Sequence, residues 1–194
     1  MTCGACSRPA VSVALVHYPV YDKNRQVVAT AVTNLDIHDI SRSARTFGLN
    51  HYYLVTPVEG QKELAGRIIR HWREGWGASY NPKRKAALDL VRISNSIEEV
   101  LEELGNEYGA PARLVTTGAR QHPRSIGYEQ MASIMAHDRE HPYLIVFGTG
   151  WGLTEDFFDR ADFVLAPIQG PGEYNHLSVR SAAAIIMDRL FGVR

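Results

Sequence analysis

Glycine-rich turns that follow apolar runs are the features of this sequence best suited to support chemistry. The apolar run at residues 143–147 leads into a turn with glycine at positions 148, 150 and 152. A second short run, at residues 163–166, leads into a loop of prolines and glycines at residues 167–172. Glycine lets a backbone approach a ligand closely and present its N–H and C=O groups. The two turns therefore predict a pocket for a flat, polar small molecule.

A dinucleotide is one candidate ligand, because Gly148-x-Gly150 follows an apolar strand. The dinucleotide fingerprint G-x-G-x-x-G needs a glycine at position 153, where this chain has Leu153. It also opens a fold with several further βα units, whereas only about forty residues follow here. A dinucleotide-using α/β enzyme therefore remains an alternative and not the main prediction.

The overall composition is that of an ordinary globular domain, with 194 residues, 45% hydrophobic and 22% charged. No apolar run approaches the ~18 residues of a membrane span, and no signal peptide is evident. We therefore expect a flexible leader at residues 1–9, a single domain at residues 10–194, no membrane contact and a cytoplasmic location. Cys3 and Cys6 form one C-x-x-C in the leader. Zinc would need two more ligands nearby, so free thiols and no metal are favoured.

The charge is unevenly distributed although the net charge is zero. Residues 61–92 carry eight Lys and Arg against three acids, whereas residues 96–109 carry five Glu and no base. Within the basic stretch, residues 75–85 show no periodicity but contain Trp76, Tyr80 and three consecutive cations. Aromatic rings stack on nucleobases and Lys or Arg binds phosphate, so this loop is a candidate nucleic-acid contact. An ordinary solvated loop is the alternative.

The order of the remaining elements predicts an α/β protein with a mostly parallel sheet and helices on both faces. Expected strands lie at residues 10–16, 51–56, 86–93, 112–117, 143–147 and 163–166, with a short strand or extended loop at 26–32. Expected helices lie at residues 34–47, 60–74 and 125–137. Two further helices are expected to begin at a capping box at residues 96–99 and at residues 175–178.

Ligands of such sheets bind at the carboxyl ends of strands. Three of those ends are polar or glycine-rich, at residues 116–121, 148–153 and 168–177. All three lie in the C-terminal half of the chain. We therefore predict one ligand site built by these three loops.

Three separated stretches resemble motifs of the SPOUT superfamily of RNA methyltransferases. They are residues 39–55 (DISRSARTFGLNHYYLV), 146–153 (VFGTGWGL) and 168–185 (IQGPGEYNHLSVRSAAAI). The sequence is most similar to a small bacterial branch sometimes fused behind the tRNA guanine-N(1) methyltransferase, in which the NHLSVR run recurs. The resemblance implies S-adenosylmethionine bound inside a C-terminal trefoil knot, a homodimer whose two subunits complete each site, and an RNA substrate, either tRNA or rRNA.

The resemblance also implies roles for individual residues. Arg42 matches the arginine of the first motif, and we expect it to hold a phosphate or ribose of the RNA. The alternative interpretation of Arg42 is that it forms a surface salt bridge. Glu173 and His176 are candidate bases, as are Asp36 or Asp39 of a neighbouring subunit. Cofactor contacts are expected from three walls: Thr116, Thr117 and Gly118; Gly148, Thr149, Gly150, Gly152 and Leu153; Ile168, Gly170, Tyr174, Asn175, His176 and Leu177.

RNA-backbone contacts are expected from a second, basic group: His38, Arg45, Arg67, Arg70, Lys83, Arg84 and Lys85. The C-terminal helix, with small residues at 182–184, is the expected dimer interface. Two positions depart from the family pattern. Thr149 stands where a glutamate is common, and Ser178 where an asparagine is usual. A module that binds S-adenosylmethionine and RNA without catalysis is therefore a second reading, and Asn175 and Ser178 are equally explained as helix caps.

Overall fold

The computed structural model describes residues 9–193 and contains a seven-stranded sheet in which all neighbouring strands are parallel. The predicted parallel α/β architecture is thus confirmed. Across the sheet the order is β5 (Val91–Ser94), β4 (Tyr52–Val55), β1 (Val11–Val16), β8 (Tyr143–Gly148), β6 (Arg113–Thr116), β9 (Phe163–Leu165) and β7 (Ser125–Ile126). A separate antiparallel hairpin joins β2 (Val20–Tyr21) to β3 (Val27–Val28).

Eight helices occur in the described part of the chain and cover both faces of the sheet. They are α1 (Asn34–Thr46), α2 (Glu59–Arg73), α3 (Trp76–Tyr80), α4 (Pro82–Leu88), α5 (Ile97–Tyr108), α6 (Tyr128–His137), α7 (Glu155–Asp159) and α8 (Val179–Phe191). One core contains buried residues of α1, α2, α4, α6 and α8. A second core, on the other face, contains those of α5, α7 and the hairpin.

The central strand β1 shows why this sequence forms a three-layer protein. All six of its residues are buried. Val13 and Leu15 contribute to the first core, whereas Ala14 and Val16 contribute to the second. Successive side chains of a strand point to opposite faces, so a continuous apolar run requires cover on both.

The ends of two helices follow their sequence signals. Thr33 caps α1 by accepting a hydrogen bond from the Asp36 N–H, and Gly48 follows the helix with a left-handed φ of 72°. Ser96 likewise caps α5 by accepting from the Glu99 N–H. The capping box is only half formed, because the Glu99 carboxylate accepts from the Asn95 N–H instead.

Three predicted elements are wrong in part. Residues 75–85 were expected to form a loop but contain α3 and most of α4, where Pro82 occupies the first turn and Asn81 caps it. The strand expected at 86–93 begins only at Val91 because α4 extends to Leu88. The helix expected from residue 125 begins at Tyr128, since β7 precedes it. Helices this short show too little periodicity to be read from sequence.

Residues 1–8 of the expected leader, with Cys3 and Cys6, lie outside the described residues. Among residues 9–193, no helix combines the length and the apolarity needed to cross a membrane.

Candidate functional site

The three loops predicted to bind a ligand lie at one edge of the sheet. They follow β6, β8 and β9, which are neighbouring parallel strands, so their carboxyl ends share that edge. The side chain of Asn175, in the third loop, donates a hydrogen bond to the carbonyl oxygen of Ala119 in the first, at 2.8 Å. Asn175 is therefore a link between loops and not a helix cap.

The first loop offers mainly backbone groups, because its threonine hydroxyls are engaged inside the protein. Thr116 Oγ1 donates to the carbonyl of Phe157 at 3.1 Å, and Thr117 Oγ1 donates to that of Val146 at 2.8 Å. Both side chains are buried. At Gly118, an added Cβ would lie 3.3 Å from the Phe158 ring, so a side chain there would require this ring to shift slightly.

The second loop is a tight turn that requires its glycines. A Cβ at Gly148 would lie 2.7 Å from the amide nitrogen of Leu153, and one at Gly150 would lie 2.9 Å from the carbonyl oxygen of Tyr21. Gly150 and Gly152 both have positive φ, at 59° and 103°. Backbone hydrogen bonds join Tyr21 to Trp151 and Gly152. The β2–β3 hairpin therefore holds the turn in its shape.

Two predicted cofactor contacts in this turn have their side chains directed inward. Leu153 is 5% exposed and packs in the second core, so only its backbone can meet a ligand. The Thr149 hydroxyl donates to the Val16 carbonyl at 2.9 Å and also bonds to the Thr30 hydroxyl.

The third loop contains the most accessible side chains of the candidate site. Ile168 is half-buried against the first core, whereas Gly170, Glu173, His176 and Leu177 are exposed. Tyr174 is exposed as well, and its ring meets that of His176 edge to face, with centroids 5.5 Å apart. Ser178 ends the loop by capping α8, as it accepts from the Ser181 N–H at 3.3 Å. The capping explanation is therefore correct for Ser178.

Arg42 lies on α1 with an exposed side chain that has no hydrogen-bond or ion-pair partner within residues 9–193. The alternative of a surface salt bridge is therefore not observed. Arg42 lines an open cavity of about 340 Å³ together with Asp39, Ser43, Thr46 and Phe47. No residue of the three loops lines this cavity.

Arg180 is a site residue that the sequence analysis missed. Its guanidinium binds Asp36 at 2.9 Å and approaches Asp39 at 3.5 Å, so the start of α8 is joined to α1. Asp36 is 4% exposed and also accepts from the Thr33 hydroxyl at 2.6 Å. Asp36 and Asp39 are therefore ion-pair partners of Arg180 within the chain. The NHLSVR run contained Arg180, but no local pattern indicated its partners.

His17, at the carboxyl end of β1, was also missed. It is fully buried, and its Nδ1 lies 3.1 Å from the Thr30 hydroxyl. The Thr149 hydroxyl has a single hydrogen, which it donates to the Val16 carbonyl, so Thr30 is the donor in the bond between the two threonine hydroxyls. The Thr30 oxygen then accepts from the Nδ1–H of His17. The competing bond from Thr30 to the His17 carbonyl is longer, at 3.4 Å.

This order of donors leaves the His17 Nε2 as an unprotonated acceptor, and within the described residues that atom has no hydrogen-bond partner. Burial lowers the pKa of His17 from its ordinary 6.5 to about 4, although Asp36 partly opposes the shift. The ring is therefore neutral near pH 7.

The residues expected to contact RNA lie on α1, α2 and α4, which pack on the same face of the sheet. His38 and Arg84 both meet the Trp72 ring, with the His38 centroid at 5.4 Å and the Arg84 guanidinium at 4.4 Å. Burial lowers the pKa of His38, and the charges of Arg84 and Arg42 lower it further, whereas the charge of Asp39 raises it. Lys85 lies 3.6 Å from Asp89. The other predicted contacts are exposed and unpaired within residues 9–193: Arg45, Arg67, Arg70 and Lys83.

Residues 9–193 contain no cluster of three or more His, Cys, Asp or Glu side chains arranged to hold a metal ion.

A family model described as SAM-dependent RNA methyltransferase matches residues 10–192. An uncharacterized protein of Aquifex aeolicus is 42% identical over 182 residues, which cover 93% of this chain and 88% of that protein. A tRNA (guanine-N(1)-)-methyltransferase of Oleidesulfovibrio alaskensis is 46% identical over 179 residues, which cover 92% of this chain and 41% of that protein. This chain thus spans less than half the length of the second relative.

Solved structures show the same fold. The SpoU methyltransferase AviRb of Streptomyces viridochromogenes, in complex with AdoMet, matches with a TM-score of 0.58 and 16% identity, over 95% of this chain and 58% of that chain. The TrmH/SpoU tRNA modifying enzyme of Aquifex aeolicus matches with a TM-score of 0.56 and 16% identity, over 94% of this chain and 74% of that chain.

Proposed function

Because this chain belongs to the SAM-dependent RNA methyltransferase family, we propose that its three C-terminal loops bind S-adenosylmethionine and that it methylates a nucleotide of tRNA. The family membership agrees with the SPOUT resemblance drawn from the three motifs. The choice of tRNA rests on the tRNA (guanine-N(1)-)-methyltransferase relative, of which this chain spans 41%.

The observation that carries the proposal is the meeting of the three loops at one sheet edge, joined by the bond between Asn175 and Ala119. Space is open beside two of these loops, because nothing lies within 4 Å of an added Cβ at Gly152 or Gly170. Backbone N–H and C=O groups beside such open positions suit the edge of an adenine. The exposed Tyr174 and His176 add polar and aromatic surface at the rim.

Bound S-adenosylmethionine would supply a methyl group whose bond to sulfur breaks as its bond to the RNA nucleophile forms, with the electron pair staying on sulfur. In such an in-line displacement the protein contributes mainly by positioning the reactants. We assign that task to Arg42, whose unpaired planar guanidinium suits an RNA phosphate. Glu173 and His176 are exposed in the third loop and remain the candidate acceptors of the nucleophile's proton.

A homodimer is part of the proposal, because the cavity at Arg42 has no lining residue from the three loops of the same chain. A second copy would bring its own Arg42 to these loops. Of the small residues expected at the interface, Ala183 is fully buried in this chain's own core, so α8 would meet a partner through other positions. The trefoil knot is proposed from the resemblance alone.

Isothermal titration with S-adenosylmethionine and S-adenosylhomocysteine tests the cofactor site, with NAD and ATP as controls. Micromolar binding of the first pair, about −8 kcal/mol, is expected, with no comparable heat from the controls. Incubation with total tRNA, total rRNA and radiolabelled S-adenosylmethionine should then label tRNA. A folded protein that binds NAD instead would support the dinucleotide alternative.

A non-catalytic module is the second candidate function, and the position of Thr149 favours it. This hydroxyl is bonded to Val16 and Thr30, so it cannot supply the acid that a glutamate would bring to the turn. If the chain is such a module, it should bind S-adenosylmethionine and RNA but transfer no label to total tRNA or total rRNA.

A further inference from the structure

Two large aromatic side chains stand exposed on α3. Trp76 is 71% exposed and Tyr80 is 70% exposed. Their rings are stacked, with centroids 4.6 Å apart and planes 20° from parallel. Each ring covers part of the other and leaves most of its surface to solvent, which is unusual for residues of this size.

The base of this aromatic pair is closely packed. A Cβ at Gly77 would lie 2.7 Å from the Trp72 ring, and one at Gly75 would lie 2.7 Å from the carbonyl oxygen of His71. The two glycines thus let α3 lie directly against the end of α2. The Trp72 ring is in turn contacted by the Arg84 guanidinium. The pair is therefore held on the folded domain and not on a free loop.

Exposed cations lie on the elements next to the pair, and one exposed acid, Glu74, precedes α3. Residues 75–88 contain no Asp or Glu. Lys83 follows Tyr80 closely, and Arg67 and Arg70 lie on the adjoining α2; all three are exposed and lack an ion-pair partner in the described part of the chain. An exposed aromatic pair on a helix whose neighbouring helices carry free cations offers the two features that single-stranded nucleic acid requires, a stacking face and phosphate partners.

We propose that Trp76 and Tyr80 form a stacking platform for an unpaired nucleobase of the RNA substrate, with Lys83, Arg67 and Arg70 binding the flanking phosphates. The proposal rests on the proposed function, because it takes the substrate to be RNA. Bases inside a duplex have no free face, so the platform selects a loop, a bulge or a single-stranded end. A second copy of the chain is a poorer occupant, because a symmetric contact here would bring like charges together.

Fluorescence anisotropy with a labelled adenine 12-mer tests this platform, with the same strand annealed to a uridine 12-mer for comparison. Wild-type protein should bind the single strand more tightly than the duplex. The double substitution Trp76→Ala/Tyr80→Ala should weaken single-strand binding about tenfold to a hundredfold, as expected for one or two lost stacking contacts. The matched variant Trp76→Phe/Tyr80→Phe keeps two stacking rings and should bind within about threefold of wild type. Calorimetric binding of S-adenosylmethionine should be the same in all three proteins, which also verifies folding.

Equal affinity for the single strand and the duplex would overturn the proposal, as would an alanine variant that binds RNA like wild type. A change in oligomeric mass of the alanine variant would assign the surface to self-association instead. These outcomes differ from failure of the proposed function, which would appear as wild-type protein that neither binds S-adenosylmethionine nor labels RNA. With methylation intact, the alanine variant should show a raised KM for RNA and an unchanged kcat.

Discussion

At the scale of single residues, Arg42 is an exposed guanidinium without an ion-pair partner inside residues 9–193. If it holds an RNA phosphate beside the methyl group, Arg42→Ala should lower kcat/KM for methylation about tenfold to a hundredfold, the contribution of one charged hydrogen bond. Calorimetric affinity for S-adenosylmethionine should stay within about twofold.

Arg45→Ala is the matched control, because Arg45 is exposed on the same helix outside the cavity. Arg45→Ala should raise the KM for RNA and leave kcat unchanged. Parallel loss of cofactor affinity and activity in Arg42→Ala would contradict the assigned role.

His17 gives a prediction about pH. Its pKa is lowered from 6.5 to about 4, so in this interval the unfolded chain binds a proton that the folded chain does not. The free energy of unfolding should therefore fall as pH decreases from 6.5 towards 4, by about 3 kcal/mol in total. His17→Asn keeps a donor for Thr30 but cannot titrate. Urea unfolding at pH 7.5 and 5.0 should show a smaller loss in the variant, and equal losses would contradict this account of His17.

At the scale of elements, the turn after β8 owes its shape to contacts that leave no room for a side chain. Gly148→Ala places a Cβ 2.7 Å from the Leu153 nitrogen, so we expect a loss of about 1–3 kcal/mol in the free energy of unfolding. Gly170→Ala is the control, because an added Cβ there meets nothing within 4 Å. It should leave stability within about 0.5 kcal/mol of wild type. Its affinity for S-adenosylmethionine should fall, since the open space beside Gly170 is assigned to the ligand. Equal stability of the two variants would show that the turn is not tightly closed.

At the scale of the whole molecule, the separation of the Arg42 cavity from the loops predicts a shared site. Light scattering at micromolar concentration should give twice the mass of one chain. Mixing Arg42→Ala protein with a variant defective only in the loops should restore some methylation, because mixed dimers contain one intact site. A monomeric mass in an active preparation would rule out the shared site.

The parallel α/β class, six of the seven strands of the sheet and the three loops could be predicted because their signals are local. Apolar runs such as residues 143–147 and glycines at fixed offsets after them are read directly from the chain. Parallel strands then place their carboxyl ends at one edge, so the gathering of the loops follows from fold class. Helices α3 and α4 were missed because tertiary contacts stabilise them: Trp72 meets Gly77 from one and Arg84 from the other.

The sequence by itself thus determined the fold class and which glycine-rich loops meet at one edge of the sheet, since short-range periodicity and glycine placement indicate both. Only the tertiary structure decided which polar groups are left for chemistry. The Asp36 carboxylate is bound by Arg180, 144 positions away, and the Thr149 hydroxyl by Val16, 133 positions away. Arg42 has no such partner within residues 9–193. A side chain's availability depends on neighbours that the folding of distant segments brings to it, and no local pattern encodes them.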